Sequence, residues 1–448
     1  MRVSRSALPY LGFAAYAVVS LLMINDPRHP ILPPPLSGKI QLSELVFAVG
    51  ILTWLVAGAP GLGRVAKVAG VPAGVWLGAN VISALAAVRP GSAWREAAAF
   101  LYLGLVLIWG AAVLTASGKV EGFARWWFAA VSGIVLAGLV GDVVATLAGQ
   151  GNYLVYRGRD MYLFGDHVYR IRSTLVPTTK LLATLLILVL PVVFTIRHFG
   201  TASERRVCNW LLVLMTLCQV LTFSRQILEY GGLLGLLAWL ESHRRRRAVV
   251  AALAVVYVVG FLGVLAVSTW RITDHQVTET VDLSRTLTDR HYYSTIPATG
   301  VQTVDLRVEY VYDNYHVLKR IGWKGFLERP FLGWGPDAWP SVVKWAQDAG
   351  QAPAAFRFES AQSEPFTIAA EMGLAGLAAW VAFWALCFRG MAVRTAQGFA
   401  ATLARYLALG LGAVLLTSIH LDVIRFRFLW IALAAGIAAA GRAREEIA

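Results

Sequence analysis

About twelve apolar stretches, most of them near the length that crosses a lipid bilayer, run through this chain, and one long polar stretch, 269–364, interrupts them. A helix that rises about 1.5 Å per residue needs roughly 20 residues to cross about 30 Å of hydrocarbon. No water is available there to satisfy a backbone N–H or C=O, so each crossing segment has to be a helix or part of a closed barrel. With 57% hydrophobic and only 15% charged residues, the chain carries more apolar surface than a water-soluble fold buries. The pattern predicts an all-α polytopic membrane protein with about 12 transmembrane helices. They fall over Pro9–Ile24, Ser43–Gly58, Val71–Val88, Ala97–Ala116, Trp127–Leu147, Leu175–Ile196, Val207–Phe223, Gln226–Leu240, Val249–Ser268, Phe366–Phe388, Leu403–Ile419 and Phe428–Ala440. Three segments follow: 1–268 with nine helices, 269–365 as one large loop between the ninth and tenth, and 366–448 with three helices and the C-terminus.

The eighth stretch is short and interrupted by Gly231, Gly232 and Gly235, which suits a tilted or kinked helix buried among its neighbours. The first resembles a signal peptide in following Met1–Ser6, but no small-residue cleavage pattern comes after it, so it is expected to remain as a helix. Cys208, Cys218 and Cys387 lie within or at the ends of apolar stretches and show no CxxC spacing. They read as packing residues rather than as a disulfide framework or a zinc site, and no metal or other cofactor is expected.

A net charge of +14 raises the question of nucleic acid, and the placement of the charge answers it. With the N-terminus inside, the inner loops collect eighteen cations, among them the run Arg244–Arg247, against eleven in the short outer loops. By the positive-inside rule both termini are expected to be cytoplasmic and the long loop outside. That loop holds ten Lys/Arg and twelve Asp/Glu, a near balance unlike that of a polyanion-binding arm, so no nucleic-acid partner is expected.

Catalysis needs polar groups, and three places supply them where a bilayer makes them costly or where outer loops converge. The stretch 149–173 holds Tyr153, Tyr156, Tyr162, Phe164 and Tyr169 and ends in Arg170-Ile171-Arg172 before the irregular start Ser173-Thr174…Pro177-Thr178 of the sixth helix. Aromatic faces with guanidinium groups suit sugars and diphosphates, the plain alternative being an interfacial belt. Phe223-Ser224-Arg225 pins an arginine in a connection of a few residues at the outer surface, where its fork fits a diphosphate whose lipid tail lies in the adjacent bilayer. Snorkelling to lipid phosphate is the alternative there. The long loop reads as helical over Val308–Leu327, then breaks at Pro330-Phe331-Leu332-Gly333-Trp334-Gly335, and ends in Gln362-Ser363-Glu364. Glu364 and Glu371 are two helical turns apart and therefore share a face. A helix cap competes for Glu364, and pairing with Arg425 or Arg427 for Glu371.

Together, Glu328-Arg329-Pro330-Phe331-Leu332-Gly333-Trp334-Gly335, then Glu364–Ile368 and Glu371-Met372-Gly373-Leu374-Ala375-Gly376, with Phe223-Ser224-Arg225 before a short glycine-rich helix, resemble the O-antigen ligase and O-antigen polymerase superfamily. The likeness covers most of the chain. It implies a GT-C-like, metal-independent glycosyltransferase in the bacterial inner membrane, taking a glycan from undecaprenyl diphosphate on the periplasmic side. Ligases of that family carry a histidine just before the tenth helix. Here that register holds Gln362-Ser363-Glu364, and the loop histidines His275, His291 and His316 lie elsewhere. The expected activity is therefore polymerisation of lipid-linked repeat units, with ligation onto lipid A-core or another acceptor as the alternative.

The transfer needs a stabilised leaving group and an aimed acceptor hydroxyl, and arginines can supply the first without a metal. Arg225 and Arg172, with Arg170, are expected to grip the diphosphate. Lys319 or Arg320 would add a contact, His316 and Glu371 would border the substrate, and Glu364 would act as base toward the acceptor. The expected partners are the lipid-linked oligosaccharide donor, the glycan acceptor and membrane lipids. A twelve-helix transporter and a non-catalytic scaffold are the rival classes. A transporter of this size commonly shows two similar halves, and no such repeat is visible.

Overall fold

The structure, a computed structural model, describes residues 7–21, 42–148, 160–163, 166–169, 179–222, 224, 226–241, 278–281, 302–305, 309–351, 360–393 and 395–447. In chain order the helices are α1 (Ala7–Leu21), α2 (Leu42–Val56), α3 (Leu62–Leu85), α4 (Pro90–Ser117), α5 (Val120–Ala148), α6 (Thr179–Phe199), α7 (Ala202–Leu221), α8 (Ile227–Glu241), α9 (Glu309–Glu328), α10 (Trp339–Asp348), α11 (Glu364–Met391), α12 (Phe399–Thr417) and α13 (Arg427–Glu445). Two short antiparallel ribbons, β1 (Asp160–Leu163) with β2 (Asp166–Tyr169) and β3 (Thr278–Val281) with β4 (Gln302–Asp305), lie in the loops.

This is a helical membrane protein. Among the described residues, six helices are long and apolar enough to cross a bilayer: α3, α4, the Val120–Val140 part of α5, the Lys180–Phe199 part of α6, α11 and α12. Of the other expected spans, α1, α2 and α8 are apolar but only 15 residues long. Helices α7 and α13 are long enough yet carry charges at their ends, and Val249–Ser268 lies outside the described residues. The third expected span, Val71–Val88, starts earlier, because Leu62–Gly70 continues into it through a π turn at Ala66–Gly70.

The last long helix is the centre of the bundle. Residues Phe428 to Ala440 of α13 are all buried, and α13 touches α1, α4, α5, α6, α11 and α12. A helix that is apolar on every side belongs in an interior. Its alanines and Gly436 also let neighbours come close, which is how helices associate where lipid tails offer no hydrophobic contrast. Around it α3 packs on α4 and α11, α6 on α12, and α1 on α2. Trp109 of α4 joins Phe13, Tyr16 and Phe47 in an aromatic cluster.

The two ends of the bundle differ. One end gathers ion pairs: Arg64–Glu445 at 3.1 Å, Arg197–Glu241 at 2.5 Å, Arg442–Glu446 at 3.1 Å, and Arg125 with both Glu121 and Glu204. Glu204 also closes a capping box with Thr201 that starts α7. The opposite end joins the starts of α4, α6, α8, α11 and α13 to the ends of α3 and α12. Over it sit α9 and α10, whose Leu318, Ile321, Trp339, Val342 and Val343 form a second small core with Trp334 and Ala370.

Candidate functional site

The sequence motifs of the long loop and of α11 interlock through their backbones. Helix α11 breaks at Gly373, where φ is 62° and ψ −155°, a conformation open essentially to glycine alone. The break frees backbone groups, and the turn 330–335 takes them up. Leu374 N donates to Pro330 O at 2.7 Å, Ala375 N to Phe331 O at 3.1 Å, Trp334 N to Ala370 O at 3.1 Å and Gly335 N to Glu371 O at 2.7 Å. From α3, Ser83 Oγ donates to Leu332 O at 2.6 Å, and Val88 N donates to Trp334 O at 3.0 Å. The approach leaves no room for side chains. A Cβ on Gly333 would stand 2.3 Å from the carbonyl carbon of Glu371, and one on Gly373 would stand 2.5 Å from that of Phe331. Irregular backbone at membrane depth is tolerated where protein buries it in this way.

Both acidic residues of α11 reach the turn that carries 423–425, as their spacing on one face predicts. Glu371 Oε1 accepts from Trp339 N at 3.0 Å, so it caps the start of α10 from another helix, and Oε2 lies 3.9 Å from the Arg425 guanidinium. Arg425 Nε is 2.7 Å from Glu96 Oε1 of α4. Burial disfavours the charge on Arg425. The carboxylates of Glu96 and Glu371, with Asp422 and Asp337, outweigh that effect and hold its pKa above the ordinary guanidinium value. Arg427 pairs instead with Glu44 at 2.8 Å and Ser43 at 2.5 Å.

Glu364 departs from its expected role as a base facing the acceptor. It is buried, and Oε2 accepts from Val423 N and Ile424 N, both at 2.9 Å, while Oε1 accepts from Trp380 Nε1. Its own N–H donates to Ser418 O at 2.9 Å. With three N–H donors on two oxygens, this carboxylate ties α11 to the α12–α13 turn. Its oxygens accept from no N–H in the first turn of α11, so the residue anchors a second element rather than capping its own helix, the competing expectation.

A separate network joins three elements singled out by sequence. Lys180 Nζ, in the first turn of α6, donates to Gln362 Oε1 at 2.6 Å. Gln226 Nε2 donates to Thr184 Oγ1 at 2.6 Å and to Lys180 O at 3.2 Å, and Ser224 Oγ donates to Gln226 Oε1 at 2.6 Å. The residues flanking Arg225, the start of α6 after Arg172, and the segment before Glu364 are therefore in one place. Beside them Glu229, in the first turn of α8, lies 3.6 Å from His420 Nδ1 on the α12–α13 turn.

Arg170, Arg172 and Arg225 themselves lie outside the described residues, as do His275 and His291. His316 falls in α9, with Lys319 half-buried and Arg320 exposed further along the same helix. A cleft of about 440 Å³ opens between Arg89, Ser92 and Arg95 at the start of α4 and Asp337 and Pro340 of the loop. Asp337 there has φ 58°, in the left-handed region. Among the described residues no group of three or more His, Cys, Asp or Glu is disposed to hold a metal ion.

Sequence reasoning missed Lys180, Glu229 and Glu96, although Lys180 and Glu229 each left a signal, a single charge in an otherwise apolar stretch; Glu96, next to Arg95, did not. His420 gave none, since it follows an apolar helix as any loop residue can. Compared with known proteins, the sequence matches no family model and no curated protein.

Proposed function

We propose that this chain is a glycosyltransferase of the bacterial inner membrane. It has about 12 transmembrane helices in a GT-C-like arrangement, cytoplasmic termini, and a working end that faces the periplasm. It transfers a glycan from undecaprenyl diphosphate to an acceptor sugar, polymerising O-antigen or exopolysaccharide repeat units. The observation that carries this reading is the hydrogen-bonded convergence of Lys180, Ser224, Gln226 and Gln362 at one end of an apolar bundle. It brings together described residues next in sequence to Arg225 and soon after Arg172, the arginines expected from the sequence to grip the diphosphate, with the ammonium of Lys180 among them. Forked donors on the diphosphate stabilise the departing charge, and fixing donor and acceptor together supplies much of the remaining rate. Glu364 and Glu371 serve as supports that hold the 418–425 turn, α10 and the loop in place. The cleft between Arg89, Arg95 and Asp337 offers charged and carboxylate contacts to glycan hydroxyls along the same end.

Ligation to lipid A-core or another acceptor is the second reading, and one observation favours it. A histidine, His420, stands on the turn to which Glu364 is bound, although none occupies the 362–364 register. Purified protein mixed with lipid-linked repeat units should give a glycan ladder with no divalent ion added, and the ladder should persist in chelator. Transfer that vanishes in EDTA and returns with one divalent ion would remove the metal-independent account. No ladder and no capped acceptor from correctly folded protein would remove the transferase itself.

A further inference from the structure

We propose that α9 and the 330–335 turn form a re-entrant hairpin whose Trp323–Leu327–Phe331 edge is sunk among the acyl chains of the lipid leaflet beside α11. Trp323 and Leu327 stand one helical turn apart on α9, and Phe331 extends their line beyond its end. All three are exposed, Phe331 to 74%. Large apolar side chains left in a row mark a surface made for an apolar partner.

Depth identifies the partner. Helix α11 is long and apolar enough to cross the bilayer, and its exposed Arg389 lies at the end of the bundle where Arg444 donates to Gly390 O at 2.6 Å. With Arg389 at the water boundary, Leu374 lies about 22 Å along the helix from it, less than the roughly 30 Å of hydrocarbon, and any tilt brings Leu374 nearer the middle. Leu374, 49% exposed, therefore faces acyl chains. Phe331 is held at the same level, because Leu374 N donates to Pro330 O and Ala375 N to Phe331 O.

Helix α9 descends beside α11 in the same direction. Gly322 lies against Phe366 and Gly325 against Ala370, before the turn meets 374–375. On the same scale Trp323, level with Phe366, stands about 34 Å from Arg389, among the headgroups where indole rings collect. The exposed Arg320 lies one turn further toward water, and Leu327 and Phe331 lie deeper, in hydrocarbon. Charges of the same stretch are off this edge. Arg329 stacks its guanidinium on the Trp334 ring at 4.7 Å, and Glu328 is about 100° round the helix from Leu327. The backbone agrees: Gly333, Trp334 and Gly335 each donate to a protein carbonyl, and Leu332 O accepts from Ser83, so the tip satisfies itself without water, as lipid demands. The placement holds whatever the chain transfers.

The test uses the full-length protein in phosphatidylcholine vesicles, with spin labels on Leu327→Cys, Phe331→Cys, Val381→Cys and Asp348→Cys. The native cysteines are buried and should stay unlabelled. Val381, exposed on α11, is the reference for lipid, and Asp348, exposed at the end of α10, the reference for water. Labels at 327 and 331 should meet oxygen as often as the label at 381 does. They should meet a water-soluble nickel complex about tenfold less often than the label at 348, because hydrocarbon excludes the hydrated complex. Nickel contact equal to that at 348 puts the edge in water, and shielding from oxygen and nickel alike puts it under protein; either result overturns the insertion. Should a labelled variant misfold, unmodified protein in vesicles whose lipid carries a diazirine on its acyl chain decides. Its adducts should map to the peptides holding Leu327 and Phe331, and adducts around Val381 with none at 327–331 overturn the proposal.

Discussion

At the scale of single residues, the structure separates charges that hold the fold from charges that can hold a substrate. Glu364 belongs to the first kind. Replacing it with glutamine turns an acceptor oxygen into an NH2 that faces a buried N–H, and a buried donor left unpaired costs about 1–3 kcal/mol. Glu364→Gln is therefore expected to lower the apparent melting temperature of the purified protein along with its turnover. A variant that melts like the parent yet fails to turn over would return the carboxylate to the role of base. The proposed function puts Arg225, which lies outside the described residues, in the second kind. Arg225→Ala should fold normally and lose transfer on the order of a hundredfold or more, with lysine a poor substitute because it cannot make a two-pronged contact. If Arg225→Lys elongates glycan at the parental rate, the two-pronged grip is wrong.

Among the elements, the joint between α11 and the 330–335 turn is the most constrained. Gly373→Ala puts a Cβ 2.5 Å from the Phe331 carbonyl and demands a backbone conformation that alanine avoids. The backbone strain alone is worth about 1–3 kcal/mol, and a large loss of thermal stability should follow. Gly232→Ala, with nothing within 4 Å of the added carbon, should be nearly silent. Equal melting of the two variants would show that the interlock contributes little. This joint also marks how far sequence could be read. Pro330–Gly335 and Glu371–Gly373 were visible as motifs, and the shared face of Glu364 and Glu371 followed from helical spacing. That the two motifs bind each other was not legible, because their contacts are backbone to backbone and leave no complementary side chains in the sequence. The same reason hid the anchoring of Glu364, whose Val423 and Ile424 partners are peptide N–H groups. His420 and Glu229 are 191 positions apart in the chain, and no local pattern ties one to the other.

Over the whole molecule, apolar length and charge placement go far, because crossing a bilayer restricts backbone and composition together. Most expected spans coincide with helices to within a few residues. What hydropathy could not rank was burial: α13, ended by Arg427, Arg442, Arg444 and Glu445, is not among the six helices that length and composition alone select, yet it is the hub. Its position depends on alanines packing, which hydropathy does not measure. Sidedness can be checked directly. Single cysteines in 280–300 should react with an impermeant reagent in cells whose outer membrane alone is permeabilised, and the native Cys208, Cys218 and Cys387 are buried and should stay silent. Labelling that needs inner-membrane lysis would reverse the topology and move the working end to the cytoplasm.

The central place of α13 has a consequence for biogenesis. Helices α1, α4, α11 and α12 are synthesised and inserted before the partner they share. Until residues 427–445 emerge, the faces that will close on Trp430 and its neighbours must be covered by lipid or by one another. The same is true of Glu364, whose two peptide donors at 423 and 424 come from the ribosome about sixty residues after it. Closure of this end of the bundle is thus tied to the arrival of α13, so a nascent chain stalled before it holds the motifs without their contacts.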